Sequence, residues 1–359
     1  MTIDERYMHR CLHLAQAGAG HVAPNPMVGA VLVYNNRIIG EGYHREYGMP
    51  HAEVNCIASV QKEDLRLVSK SVMYVSLEPC AHFGKTPPCA DLIIQYRIPK
   101  VVVGCRDPFP EVNGKGIEKL LAAGVTVTTG ILEKECRELN KRFFTFHTQR
   151  MPYIVLKWAQ GSDGAIAGPD GSAVQISNAY SSRLVHRWRS EEAAILVGTR
   201  TAMLDDPALT TRLWPGKNPV RLVIDRELKL PASLRLFDES APTVIFNELR
   251  NTISIDRSNI FTDGGNWFYR LKSDANIIDE LMNALYRLGI QSVLVEGGAK
   301  LLQSFINKNR WNEARIIINE TLRIPGGIKA PQLTQAQMIR EGHLFSDRIE
   351  EYINPSLIV

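Results

Sequence analysis

Apolar positions in the first 150 residues switch repeatedly between a helical and a strand period. Over 3–17, Tyr7, Met8, Cys11, Leu12 and Ala15 recur at helical spacing, and Gly18 and Gly20 stop the run. Val28 to Val33 reads as a strand, Asn35-Asn36 as a turn and Arg37 to Gly42 as its hairpin partner. Further strands are expected at 72–77, 101–104 and 125–128. Helices are expected at 51–60, 89–96 and 117–123, with a charged helical stretch over 133–148. Met151-Pro152 breaks that stretch and the pattern restarts. Strands then fall at 153–158, 194–198, 220–225, 243–247, 266–271, 292–295 and 314–319, with helices at 177–190, 276–288 and 299–307. Strand alternating with helix predicts layered α/β architecture with helices on both sheet faces. The restart near Arg150 predicts two closely joined domains, 1–149 and 150–359.

Composition narrows the functional classes. The 359 residues are 45% hydrophobic and carry a net charge of +4, which is too mild for a nucleic-acid footprint. The first 20 residues hold Asp4, Glu5, Arg6 and Arg10, so no leader peptide is expected there, and no apolar run is long enough to span a bilayer. A cytoplasmic location follows as an expectation. Six cysteines on this length are not a disulfide framework. With thiols kept reduced, clustered cysteines become metal or catalytic candidates.

One such cluster is legible. His51 and Cys89 each start a predicted helix just after a proline, and Cys80 follows a strand. One imidazole and two thiolates suit tetrahedral zinc with a fourth position left for water. Glu53, two residues after His51, is then free to take a proton from that water and pass it to a leaving group. This is the division of labour of the zinc deaminases of nucleobases. His82 competes as a ligand; Cys11, Cys56, Cys105 and Cys136 read as packing residues. Eight residues separate the two cysteines, so the 81–88 loop has room to contact substrate.

Asn25-Pro26-Met27-Val28-Gly29, His51-Ala52-Glu53-Val54 and the run from Leu77 to Cys89, with Gly84-Lys85-Thr86-Pro87-Pro88 inside it, resemble the deaminase half of the bifunctional riboflavin-biosynthesis deaminase–reductases. The resemblance implies a cytidine-deaminase-like three-layer α/β/α fold, zinc on His51, Cys80 and Cys89, Glu53 as proton shuttle, and substrate contacts from Asn25, His44 and Lys85. Asp107-Pro108-Phe109-Pro110 departs from the family's D-P-N-P, so Phe109 cannot supply the amide of that asparagine.

The second half shows less pointed chemistry. Val293 to Lys300 is a strand running through Glu296, Gly297 and Gly298 into a helix, without the spacing of a dinucleotide-binding glycine turn. Arg189 ends a helix, Arg212 follows a strand, and two arginines with backbone amides could hold a phosphorylated sugar. These segments resemble the reductase half of the same family. That implies a dihydrofolate-reductase-like α/β domain using NADPH. By that resemblance Lys157, Ala159, Gln175, Thr201, Asp205, Gly297 and Gly298 serve the cofactor, and Ser177, Arg189, Leu209, Arg212 and Glu296 the substrate. Ala173 and Gln175 stand where the family has a Ser or Lys and a Trp, removing a hydrogen bond and an aromatic surface. Lys157 and Asp205 are alternative proton donors, Ser177 is free to cap the helix or bind, and Arg200 is a candidate for a cofactor phosphate.

The combined expectation is a homo-oligomeric enzyme acting on a small phosphorylated pyrimidine, with one zinc ion and NADPH, and without nucleic-acid or membrane partners. The rivals are a nucleic-acid base deaminase with an appended domain and a reductase carrying a non-catalytic zinc domain.

Overall fold

A computed structural model describes residues 1–84, 87–253, 264–272 and 276–357. The chain divides into two compact units, one ending at Arg150 and the other starting at Met151.

The first unit contains α1 (Ile3–Gln16), β1 (Gly29–Tyr34), β2 (Arg37–Tyr43), α2 (Ala52–Ala58), β3 (Val72–Leu77), α3 (Cys89–Gln95), β4 (Lys100–Cys105), α4 (Lys115–Ala122), β5 (Thr126–Thr129), α5 (Glu133–Leu139) and α6 (Lys141–Gln149). Its sheet runs β2-β1-β3-β4-β5. β1 is antiparallel to both neighbours, and β3, β4 and β5 are parallel. Successive strand residues point to opposite faces, so continuous apolar strands feed two cores. Ala30, Leu32, Met73, Val75, Val101 and Val103 pack under α2, α3 and α4. Val31, Val33, Tyr74, Leu77 and Val102 pack under α1, α5 and α6. Helices therefore cover both faces, as the strand–helix alternation predicted.

The second unit contains β6 (Tyr153–Gly161), β7 (Ala165–Ala167), α7 (Ala179–Glu191), β8 (Ala194–Gly198), α8 (Thr199–Asp205), β9 (Val220–Ile224), β10 (Thr243–Asn247), β11 (Asn266–Arg270), α9 (Ile277–Arg287), β12 (Ser292–Val295), α10 (Ala299–Asn307), β13 (Glu313–Asn319), β14 (Ile328–Lys329), β15 (Gln337–Leu344) and β16 (Asp347–Ile353). Its nine-stranded sheet has the order β11-β10-β9-β8-β12-β6-β13-β16-β15. All pairings from β11 to β13 are parallel, and β16 and β15 add an antiparallel edge. α9 and α10 bury Leu281, Leu285, Leu302 and Phe305 against one face. α7 and α8 cover the other through Val185, Trp188 and Ala202. β7 and β14 form a separate pair.

The structure departs from the sequence reading in several places. The stretch expected as one helix over 133–148 is two, parted at Asn140, whose backbone leaves helical geometry. Its side chain is committed elsewhere: it accepts from Met27 N at 2.8 Å and donates to Met27 O at 2.9 Å, pinning the loop before β1. β7 occupies a segment read as polar loop, and α8 a segment for which no element was read. The β15–β16 hairpin was not foreseen, because β15 is exposed and polar and shows no apolar alternation.

Candidate functional site

In the first unit, two helix starts and one strand end meet. His51 is the N-cap residue of α2, Cys89 is the first residue of α3, and Cys80 lies just beyond β3. α2 can sit this close to the hairpin because Gly42 has no side chain; a β-carbon there would lie 2.2 Å from Cys56 N. Asn55 on α2 donates to Tyr43 O at 2.8 Å and Pro50 O at 3.1 Å, fixing the turn that carries His51.

The three candidate ligand atoms lie within 4.8 Å of one another. His51 Nδ1 is 3.6 Å from Cys80 Sγ and 3.4 Å from Cys89 Sγ. Bond lengths of about 2.3 Å to sulfur and 2.0–2.1 Å to nitrogen place tetrahedral S and N ligands about 3.6 Å apart, so the donor set and its spacing fit zinc. Cys89 N donates to Cys80 Sγ at 3.3 Å. The hydrogen bond from the Cys89 thiol, supported by those from His51 and the backbone, pulls the Cys80 thiol down to about 4. Cys89, as the donor and more deeply buried, is pushed well up. Binding of a metal to the pair would displace whatever protons the two thiols carry.

Glu53 is 3% exposed, and burial raises its carboxyl above the ordinary range. Asn25 and His44 lie beside the cluster. Asn25 Nδ2 is 3.1 Å from His44 Nε2, His44 Nδ1 is 3.2 Å from Pro50 O, and the His44 ring meets that of His51 edge-on at 5.3 Å. Lys85 lies outside the described residues.

Two acidic residues near the site escaped the sequence reading. Glu78 accepts from the backbone N–H groups of Asp107, Gly114, Gly116 and Ile117 at 2.9–3.2 Å, tying the ligand strand to the loop before α4. Asp107 is pushed up to about 7, mainly by burial. Glu78 precedes Pro79-Cys80, so only its place in the motif could have signalled it. Phe109, the departure from D-P-N-P, stacks edge-on against His82 at 6.0 Å and His147 at 5.1 Å.

The second unit holds a cavity of about 650 Å³ beside the carboxyl ends of the adjacent strands β8 and β12 and the outer half of β6, where ligands bind in open α/β sheets. Lys157, Ala159, Gln175, Ser177, Arg189, Thr201, Asp205, Arg212, Glu296, Gly297 and Gly298 all line it. Leu209 does not. Its backbone is left-handed at φ +52° and its side chain is buried with Ile195, Val197 and Val223, so any contact from Leu209 falls to its backbone. Ser177 does not cap α7; Asn178 does, accepting from Tyr180 N and Ser181 N at 2.9 Å.

A buried ion group forms the cavity floor. Arg189 grips Glu296 with two bonds of 2.8 Å and donates to Thr210 O at 3.2 Å, and Lys157 Nζ is 3.9 Å from Glu296. Burial works to raise the Glu296 carboxyl, but Arg189 and Lys157 outweigh it and pull it down to about 2. Burial also lowers Lys157 and raises Asp205. Thr201 Oγ1 accepts from Gly298 N at 2.8 Å, joining the β8–α8 and β12–α10 turns. Gly297 permits that crossing, since a β-carbon there would lie 2.7 Å from Gly198 N. Arg200 lines the cavity and donates to Asp170 O at 3.1 Å. Gln175, in place of an aromatic ring, donates to Ser177 O at 2.6 Å. His186 also lines the cavity and was missed, although it sits three residues before Arg189 on the same helix face.

Comparisons with known proteins agree with both halves. The model for the cytidine and deoxycytidylate deaminase zinc-binding region matches residues 1–105, and that for the RibD C-terminal domain matches 152–355. The chain is 41% identical to the riboflavin biosynthesis protein RibD of Aquifex aeolicus, covering 88% of this chain and 86% of that one. It is 38% identical to that of Bacillus amyloliquefaciens, covering 93% and 89%. A solved diaminohydroxyphosphoribosylaminopyrimidine deaminase/5-amino-6-(5-phosphoribosylamino)uracil reductase from Thermotoga maritima superposes with a TM-score of 0.84 at 35% identity, covering 98% of each chain. No helix among the described residues is long and apolar enough to cross a membrane.

Proposed function

Because the chain belongs to the RibD family of riboflavin-biosynthesis proteins, we propose that its two units act in turn on one phosphorylated pyrimidine. The first removes the 2-amino group of 2,5-diamino-6-(5-phosphoribosylamino)pyrimidin-4(3H)-one as ammonia. The second reduces the ribosyl chain of the deaminated product to ribityl with NADPH. The observation that carries this reading is that each unit holds its own site: the His51, Cys80 and Cys89 cluster beside buried Glu53 in one, and the ion-floored cavity in the other.

His51, Cys80 and Cys89 would hold zinc, which supplies a Lewis acid that makes water nucleophilic at neutral pH. Glu53 takes a proton from the attacking water and returns it to the departing amine. Its raised pKa suits it to carry the proton between the two steps. Asn25 and His44, linked to each other, orient the ring.

In the second unit, the Gly297-Gly298 turn and the first-turn amides of α10 would take the cofactor diphosphate. Lys157 supplies the proton that accompanies hydride, because its burial lowers its hold on that proton. Glu296 and Arg189 fix Lys157 and the sugar hydroxyls, so little further machinery is needed.

A coupled assay tests the reading. Purified wild type and Glu53→Gln are given the diaminopyrimidine phosphate with NADPH, and ammonia release and absorbance at 340 nm are followed separately. Wild type should do both. Glu53→Gln should lose deamination by about 10²–10⁴-fold and oxidise NADPH only when given deaminated substrate. No ammonia from zinc-loaded wild type overturns the deaminase assignment; ammonia without NADPH oxidation overturns the reductase one.

A further inference from the structure

The floor of the reductase cavity contains one polar group without an assigned task. His186 is 6% exposed, lines the cavity, and lies on α7 one turn before Arg189. Its Nδ1 accepts from the backbone N–H of Arg212 at 2.9 Å. An amide N–H can only donate, so Nδ1 is unprotonated and the ring proton is on Nε2. Nε2 has no partner among the described residues. Although the residue is 6% exposed, Nε2 is not among the sealed, unsatisfied polar atoms of the described residues, so solvent reaches it in a residue that lines the cavity and a ligand there can take its N–H.

The surroundings say which ligand that is. Arg189, Arg212, Lys157 and Glu296 are the charged groups that act on His186. Glu296 is consumed by Arg189 and Lys157. Arg212 donates to Thr210 Oγ1 at 2.8 Å and has no carboxylate partner among the described residues. One uncompensated guanidinium beside one free neutral N–H is a pole for an anion.

We propose that His186 is a substrate-binding residue of the reductase, donating Nε2–H to a phosphate oxygen of the sugar phosphate while its Nδ1 holds the Arg212 loop in place. This rests on the reductase reading above and names the residue that, with Arg212, reads the phosphate. Burial and the neighbouring arginines bring the imidazole down to about 4, so it stays neutral at working pH and donates without adding charge. It is no proton source for the reduction.

The test uses the full-length zinc-loaded enzyme, supplied with deaminated substrate and with its phosphate-free counterpart. In His186→Asn the amide oxygen retains an acceptor for Arg212 N but no group reaches the place of Nε2. KM for the phosphorylated substrate should rise about 10–100-fold, the cost of a hydrogen bond to a charged group, with kcat within about threefold. KM for the phosphate-free compound should barely move, which a merely structural role would not produce. His186→Gln, which carries an N–H out to the Nε2 position, should recover most of the loss. Equal rises in KM for both compounds, or a fall in kcat alone, overturn the proposal. So does an unchanged KM. A wild type that binds neither NADPH nor the deaminated substrate, measured calorimetrically, overturns the reductase reading itself.

Discussion

The deaminase cluster and the reductase cavity solve the problem of making a site in opposite ways. In the first unit the chemistry resides in a few side chains of special type. Three candidate ligand atoms within 4.8 Å and one buried carboxyl form the core of the proposed reactive centre. In the second it is spread over a cavity of about 650 Å³ whose shape depends on a glycine crossing and on a bidentate ion pair. Nothing there is chemically unusual alone. A site concentrated in residue type should fail sharply when one atom is changed. A site distributed over shape should fail by degrees, except where a buried charge loses its partner.

The sharpest way to break this contrast is at a ligand. Cys89→Ser should empty the first site of zinc, measured by metal analysis, and lower ammonia release by about 10³-fold, since the Lewis acid is worth several kcal/mol. NADPH oxidation with deaminated substrate should stay within about twofold. If the reduction fell equally, the two sites would not be separate machines.

This difference also decides what could be read from the sequence. His51, Glu53, Cys80 and Cys89 were legible because chemistry restricts their types and because prolines and strand ends mark their positions. Strands 72–77, 194–198, 243–247 and 292–295 were legible because parallel strands buried on both faces are short unbroken apolar runs. Glu78 was not, since a carboxylate holding four backbone amides looks like any surface acid until the loops are folded around it. His186 and the burial of Leu209 depend on a left-handed turn and a loop crossing α7, which carry no local period. The hairpin of β15 and β16 was hidden because its outer strand faces solvent, so no alternation records it.

An intermediate effect is expected at Glu296. Glu296→Gln leaves Arg189 and Lys157 buried without their counter-charge, and breaking one partner of a buried pair costs about 3–5 kcal/mol. The second unit should unfold at distinctly lower denaturant concentration, with deamination unaffected where that unit's unfolding does not spread. The sign with pH is fixed by the carboxyl's position. Its pKa is about 2 in the folded state against an ordinary 4.5, so its stabilisation is complete above about 4.5 and is lost as pH falls toward 2. Wild type should lose its advantage over Glu296→Gln across that interval. An advantage independent of pH from 7 down to 2 would mean that shape, not charge, holds the floor.

The smallest expected effect lies at Gln175, and it probes the distributed character of the second site most directly. Gln175 is exposed on the cavity rim, and its side chain turns back to Ser177 O. Replacing it with Trp supplies the ring surface that the family resemblance leads one to expect at this position. An aromatic contact of this kind is worth about 0.5–1.5 kcal/mol, so Gln175→Trp should tighten NADPH binding by about 2–12-fold, read by protein fluorescence quenching. The rate of hydride transfer at saturating NADPH should change little, because the reacting end of the cavity is untouched. In a site whose binding is shared among many contacts, one lost ring is a modest handicap that one substitution repairs. If the variant instead gained a hundredfold, binding would be concentrated in that one position. The cavity would then resemble the zinc cluster more than its geometry implies.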